Sequence, residues 1–355
     1  MSIKVLLVED SQIALTILKR ILNSSPEIEV VGEARTGLEG LEKIPQVNPD
    51  VICTDLHMPV MDGLEFTSEV MTLYPKPILV ISVSVQEEDT HRVFQLLEAG
   101  AVDIFPKPSA GLAENNHLLR RQLIDKVKIL SGVRVFKKKR KLPITANNLN
   151  SKNIDHIYFK SHPSPKILAV GASTGGPLVL QELFSQLPAD FPLPIICVQH
   201  ICNGFLQGLV DWLNSSCRLS IEIAKPGDRP ERGKIYFPQE QQHLELDANG
   251  RFICSDSPAV DGHRPSVTVM FESVVKFYGR KTLAVLLTGM GKDGAKGMLT
   301  ISKAGGFTIA QDQATSVVFG MPKEAIDLGA AKLILPASAI APRLLDLITA
   351  SRNRF

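Results

Sequence analysis

The chain has little of what marks a protein for export, for membranes or for polyanions. Its five Cys (53, 197, 202, 217 and 254) form no C-x-x-C pair and no metal-ligating spacing, and three of them sit in or beside apolar runs. Reduced thiols in the cytoplasm are the simple account. Charged residues make up 21% and the formal net charge is only +2, so no field is strong enough to imply nucleic acid or another polyanion as partner. No stretch approaches the ~20 apolar residues of a spanning helix. The apolar run ahead of Glu9-Asp10 is also too brief for a signal peptide. The expectation is a soluble, cytoplasmic protein with no membrane insertion.

What is present is alternation. At 355 residues the chain is long enough for two or three domains, each with its own core. In the first part Ile3-Lys-Val-Leu-Leu-Val8, Ile28-Glu-Val-Val31, Asp50-Val-Ile-Cys-Thr54, Pro77-Ile-Leu-Val-Ile81 and Val102-Asp-Ile-Phe105 read as strands. Helical periods fill the gaps, as at Ala14, Ile17, Leu18, Ile21 and Leu22. Five such βα units predict a doubly wound parallel sheet. The acids fall at strand ends: Glu9 and Asp10 close the first strand and Asp55 the third, which places three carboxylates in one crevice at the sheet's C-terminal edge. Crowded carboxylates repel and need a cation, and a hard, oxygen-liganded ion such as Mg²⁺ fits them. Ser82 ends the fourth strand and Lys107 follows the fifth.

A helix is expected from about residue 111 to 130, after which the pattern dissolves. Residues 131–164 hold Lys137-Lys-Lys-Arg-Lys141, an Asn-rich run and His162-Pro-Ser-Pro165. They read as an exposed, flexible basic and polar linker between a first domain, 1–130, and a second, 165–355. A basic run without aromatic neighbours is more often a solvated linker than a site for nucleic acid or lipid.

The second domain opens on Lys166-Ile-Leu-Ala-Val-Gly171-Ala-Ser173-Thr-Gly175-Gly176-Pro177. The apolar residues predict a buried strand, and Pro177 with the residues after it predicts the first turns of a helix. Between them lies G-x-S-x-G. Small residues on either side of a serine permit a tight turn that lifts its Oγ clear of the sheet, beside free backbone N–H groups. Ser173 is the candidate nucleophile; a Gly-rich turn that binds phosphate or only packs is the alternative.

A serine hydroxyl needs a base, and the base an orienting acid. His200 follows the apolar run Leu193-Pro-Ile-Ile-Cys-Val198, and Asp293 follows Thr282-Leu-Ala-Val-Leu-Leu-Thr288 by a short Gly-rich loop. Both would lie at the C-terminal ends of buried strands, the edge that carries sites in parallel sheets. The bland readings are a structural histidine and a helix-capping aspartate. The order Ser173, His200, Asp293 differs from the Ser, Asp, His order of α/β-hydrolases and implies another scaffold. Gly289-Met-Gly291-Lys-Asp-Gly294 is also a literal G-x-G-x-x-G with Asp312 downstream, the spacing of a dinucleotide site, but Asp293 would put negative charge where pyrophosphate belongs. Ile221–Ala224, Gly233–Phe237 and His243–Leu246 are expected to form a more extended, partly antiparallel insertion, and Val267 to Tyr278 a helix.

Asp55-Leu-His-Met-Pro59-Val-Met-Asp62-Gly63 and Phe105-Pro-Lys107-Pro108, with Glu9-Asp10, resemble the signatures of response-regulator receiver domains. The resemblance implies a flavodoxin-like (βα)5 fold, Asp55 as phosphoacceptor, Mg²⁺ held by Glu9, Asp10 and Asp55, Ser82 as switch hydroxyl and Lys107 paired with the phosphoryl group. A histidine kinase would be the phosphodonor. The aromatic switch position holds Ile104, with Phe105 displaced by one. Gly171-Ala-Ser-Thr-Gly-Gly176, Gln199-His200, Leu287-Thr-Gly-Met-Gly-Lys-Asp293 and Gly305-Gly-Phe-Thr-Ile-Ala-Gln-Asp312 resemble the methylesterase domain of bacterial chemotaxis. Together the halves are similar to protein-glutamate methylesterase response regulators.

That resemblance implies a larger doubly wound α/β catalytic domain without a cofactor, with Ser173, His200 and Asp293 as triad and backbone N–H groups of Thr174 and Met290 as oxyanion hole. The substrates would be methylated glutamates of chemoreceptors, with deamidation of receptor glutamines as a second activity. The loops at Gln239–His243 and Ile201-Cys202 depart from the family's usual residues. The unphosphorylated first domain is expected to cover the Ser173 groove until Asp55 is phosphorylated. The contrasting expectation is a response regulator whose second domain binds a nucleotide or partner without hydrolysis.

Overall fold

A computed structural model describes residues 2–82, 87–108, 116–135 and 164–352. They fold as two compact units, each with its own parallel sheet. The expected linker, with its basic run, falls mostly outside the described residues.

The first unit holds β1 (Ile3–Val8), α1 (Gln12–Leu22), β2 (Ile28–Ala34), α2 (Gly37–Val47), β3 (Val51–Thr54), α3 (Gly63–Leu73), β4 (Ile78–Ser82), α4 (Glu87–Ala99), β5 (Asp103–Pro106) and α5 (Asn116–Ser131). Every strand pair is parallel, in the order β2-β1-β3-β4-β5. The interior strands are mostly apolar because helices cover both faces, and Val5 to Val8 and Ile78 to Val80 are wholly buried. Sequence punctuation sets the helix starts. Ser11, Thr36 and Asp62 each accept a backbone N–H of the first turn as N-caps. β2 runs three residues past its apolar stretch, because a register shift at Val5/Leu6 lets Gly32–Ala34 pair with Leu6–Val8. Phe105 is wholly buried and Ile104 nearly so, so neither ring nor branched chain stands at the surface of this unit.

The second unit runs β6 (Ile167–Ala172), α6 (Gly176–Ser185), β7 (Ile195–Gln199), α7 (Leu206–Ser216), β8 (Ser220–Ile223), β9 (Lys234–Phe237), β10 (His243–Leu246), β11 (Phe252–Ser255), α8 (Val267–Tyr278), β12 (Thr282–Leu286), α9 (Ala295–Lys303), β13 (Phe307–Gln311), α10 (Met321–Asp327), β14 (Leu333–Leu335) and α11 (Ala337–Arg352). Seven strands form one all-parallel sheet in the order β14-β13-β12-β6-β7-β9-β8. This corrects the expected insertion. β8 and β9 join the main sheet, since Ile235 and Tyr236 pair with Ile195 and Ile196 and are buried there. Only β10 and β11 stand apart, as an antiparallel pair. β12 ends two residues early, because the Thr288 N–H donates to the Gln311 side chain.

The chain enters this sheet at its centre. From β6 it proceeds to β7 on one side and later returns to β12 on the other, so strand order reverses between β6 and β12. Crevices for ligands open at such a reversal, outside the C-terminal ends of the strands. Ser173, His200 and the loop carrying Asp293 follow those three adjacent strands.

Candidate active site

The turn after β6 is fixed from several sides. Gly175 adopts φ +76°, a left-handed conformation that disfavours a side chain, and a Cβ there would lie 2.6 Å from Val317. The Ser173 N–H donates to the Thr288 carbonyl at 3.0 Å, and the Thr288 hydroxyl donates to the Thr174 carbonyl at 3.0 Å. The buried Gln199 amide spans both strand ends, donating from Nε2 to the carbonyls of Ser173 (2.8 Å) and His200 (2.9 Å). The His200 N–H donates to the Ala172 carbonyl at 3.0 Å. Ser173 and His200 are thus locked side by side through backbone contacts. Among the described residues no hydrogen bond is made by Ser173 Oγ, nor by the buried His200 Nδ1. The expected triad is therefore joined at His200 and Asp293 but not yet at Ser173 and His200; such bonds often tighten only when substrate binds.

His200 Nε2 lies 2.9 Å from Asp293 Oδ2. Asp293 also accepts from the Ser266 hydroxyl (2.8 Å) and from the backbone N–H groups of Val267 (2.7 Å), Thr268 (2.9 Å) and Gly294 (2.9 Å). Ser266 is the N-cap of α8, so the carboxylate sits on the free N–H groups and positive dipole end of that helix. Burial alone would raise its pKa. The hydrogen bond and charge of His200, with the Thr268 and Ser266 donors, overcome this and hold it well below the usual carboxylate range. An ionised Asp293 only accepts, so the proton of a neutral His200 resides on Nε2 and the lone pair on Nδ1.

Thr174 and Met290 flank this pair. Among the described residues neither backbone N–H donates a hydrogen bond, and Gly289, before Met290, approaches so closely that a Cβ there would lie 2.7 Å from Ser173 Cβ. Three neighbours were not singled out from the sequence: Ser266, Thr268 and His263, whose ring stacks on His200 with centroids 3.8 Å apart and planes within 5°. Ser266 stands just before the expected helix at Val267, but its reach to a carboxylate 27 residues away left no signal in the sequence. Asp312 accepts from its own turn, at Thr315 N and Oγ1, and Asp293 fills the Gly-rich loop, so nothing there favours a dinucleotide.

The first unit carries a separate polar cluster. Carboxylate oxygens of Glu9, Asp10 and Asp55 lie within 4.8 Å of one another; Glu9 and Asp55 are buried and Asp10 exposed. Lys107 Nζ reaches Asp55 Oδ2 at 2.7 Å and Glu9 Oε1 at 2.9 Å. Burial, then the charge of Asp55, raise the Glu9 pKa against the pull of Lys107. Burial lowers that of Lys107, but its bonds to Asp55 and Glu9 outweigh this and raise it. Ser82 is buried at the end of β4, and its carbonyl accepts the Lys107 N–H at 2.8 Å. The His57 side chain is exposed. Glu9 Oε2 is buried and lies 2.8 Å from Lys107 Nζ. The all-oxygen donor set suits a hard divalent ion.

An acidic pocket on a five-stranded parallel sheet, followed by a second parallel unit with a serine, histidine and aspartate at one crevice, defines a response regulator with an enzymatic effector. The receiver domain family matches residues 5–116 and the CheB methylesterase family residues 168–344. A protein-glutamate methylesterase/protein-glutamine glutaminase of Geobacter metallireducens is 39% identical, over 97% of this chain and 99% of its own length. One of Nitrosospira multiformis is 37% identical, over 98% and 97%. The crystal structure of the Thermotoga maritima CheB methylesterase catalytic domain matches at 41% identity with TM-score 0.51, covering 52% of this chain and 99% of that one. The chain belongs to the protein-glutamate methylesterase/protein-glutamine glutaminase family, the CheB response regulators.

Proposed function

We propose that this chain is a phosphorylation-regulated serine hydrolase that removes methyl groups from glutamate γ-methyl esters of chemoreceptors, releasing methanol, and that it also deamidates receptor glutamines. The observation that carries the reading is the His200–Asp293 pair at 2.9 Å beside the Ser173 turn, with a buried His200 Nδ1 left without a partner. In this reading Ser173 Oγ attacks the ester carbonyl as Nδ1 takes its proton. Asp293 holds the tautomer and the imidazolium, and the N–H groups of Thr174 and Met290 receive the oxyanion. His200 returns the proton to departing methanol, and water, deprotonated by the same nitrogen, resolves the acyl-enzyme. An amide carbonyl fits the same hole, which gives the glutaminase reaction.

Residues 1–130 act as receiver, 131–164 as linker and 165–355 as catalytic domain. Asp55 accepts the phosphoryl group from a histidine kinase, and Glu9, Asp10 and Asp55 would hold a Mg²⁺, which would screen the charge of the incoming phosphate. Lys107 and Ser82 read the phosphorylated state. Among the described residues no helix is long and apolar enough to cross a membrane, which suits an enzyme that meets receptors at their cytoplasmic tails.

Ser173→Ala in the full chain, assayed for methanol release from methylated receptor membranes, should lose at least about 10³-fold in kcat with an unchanged unfolding temperature. Near wild-type release from that variant would refute the assignment.

A further inference from the structure

We propose that His263 is a positioning residue for the His200 base. Its ring lies on one face of His200 and fixes the ring plane in which Nε2 faces Asp293 and Nδ1 is left for the nucleophile. The inference rests on the hydrolase reading above and deepens it.

The Nε2–Asp293 bond pins His200 at one point only, since Nδ1 has no partner. A ring held at one atom can still roll about that bond, and rolling swings Nδ1 away from Ser173. A flat neighbour parallel to within 5°, with centroids 3.8 Å apart, opposes that motion. It also helps leave the His200 side chain only 9% exposed, which keeps water off the base.

His263 is itself built in place. It exchanges backbone hydrogen bonds with Val260 at 3.0 and 2.9 Å. The neighbouring Arg264 donates from Nη1 to the carbonyls of Asp256 (2.8 Å) and Ser257 (3.3 Å). The buried His243 ties both ends of the segment, bonding through Nε2 to the Pro258 carbonyl at 3.2 Å and accepting the Ser266 N–H on Nδ1 at 3.2 Å. Asp261, at φ +50°, reaches Lys292 at 3.5 Å, one residue before Asp293. The segment is thus fastened at several points to the same elements that hold Asp293, and His263 is the side chain it presents to His200.

The test compares His263→Phe with His263→Leu in the full chain. The two are close in bulk, but only the first keeps a flat π-face. Methanol release from methylated receptor membranes is measured with acetyl phosphate, alongside Ser173→Ala and thermal unfolding. The expected result is a fall in kcat of about 3- to 10-fold for Leu, with KM nearly unchanged. Phe should recover most of that loss and keep the wild-type shape of the pH–rate profile. Equal rates for Phe and Leu would overturn the proposal, as would a Leu variant with wild-type kcat. A Phe variant as inert as Ser173→Ala would overturn it differently, by making His263 a proton-transfer group. Turnover by Ser173→Ala would instead sink the hydrolase reading, which separates the two failures.

Discussion

Asp293 is buried, yet Ser266, Val267, Thr268 and Gly294 all donate to it, and His200 completes the set. In the folded chain its pKa is held below that of an ordinary aspartate. A carboxylate depressed in this way contributes stability that is present above the unfolded pKa and is lost as pH falls through the folded one. Asp293→Asn turns an acceptor-only group into one that presents an NH₂ to donors. It should destabilise the catalytic unit by about 3–5 kcal/mol near neutral pH, and the gap to wild type should narrow as the pH drops below about 4. Denaturant unfolding of both proteins at pH 7 and pH 3.5 checks this; an equal gap at the two values would show that the charge of Asp293 is not what the fold uses. Turnover should fall further than stability, by roughly 10⁴-fold, because an amide no longer dictates which nitrogen of His200 holds the proton.

At the scale of elements, the turn between β6 and α6 depends on the absence of side chains. A Cβ on Gly176 would lie 2.0 Å from Gln199 Oε1, in the buried amide that ties Ser173 to His200. Gly176→Ala should cost about 1–3 kcal/mol as overpacking, and should lower kcat more than KM because the displaced amide releases both residues. A variant with wild-type kcat and melting temperature would show the turn to be looser than these contacts require. That turn was legible beforehand as a tight Gly-rich turn around a serine, although a turn that binds phosphate or only packs has the same pattern. The strands that carry the site were legible as apolar runs closed by Glu9, Asp55, Ser173 or His200. The pairing of β8 and β9 was not, because short strands without an intervening helix read as antiparallel until Ile235 and Tyr236 find Ile195 and Ile196. Nor did the half-exposed three-residue β14 carry a pattern to read. The bond of Ser266 to Asp293 and the stack of His263 on His200 arise only when loops distant in sequence converge.

At the scale of the whole molecule, two parallel sheets each gather polar groups at their C-terminal edges, and only one of those clusters can do the hydrolysis. The acids of the first unit lie on a different sheet from Ser173, so their effect on turnover must pass through a shift between less and more active states. Moving such a pair from mostly inactive to mostly active takes about 5.5 kcal/mol of differential stabilisation. The pocket around Asp55 holds the means to supply part of it. Lys107 is bound to Asp55 and Glu9, and its backbone is tied to Ser82, so a phosphoryl group on Asp55 would redraw the partners of a partly buried cation at the ends of three strands. Acetyl phosphate with Mg²⁺ should therefore stimulate methanol release by the wild-type chain. Asp55→Asn should keep the basal rate and lose the stimulation, and EDTA should abolish stimulation of the wild type while sparing its basal rate, because the proposed Ser173 mechanism uses no metal. Stimulation of Asp55→Asn to the wild-type level would move the phosphoacceptor elsewhere, and a basal rate that fell with EDTA would place a metal in the hydrolytic step itself.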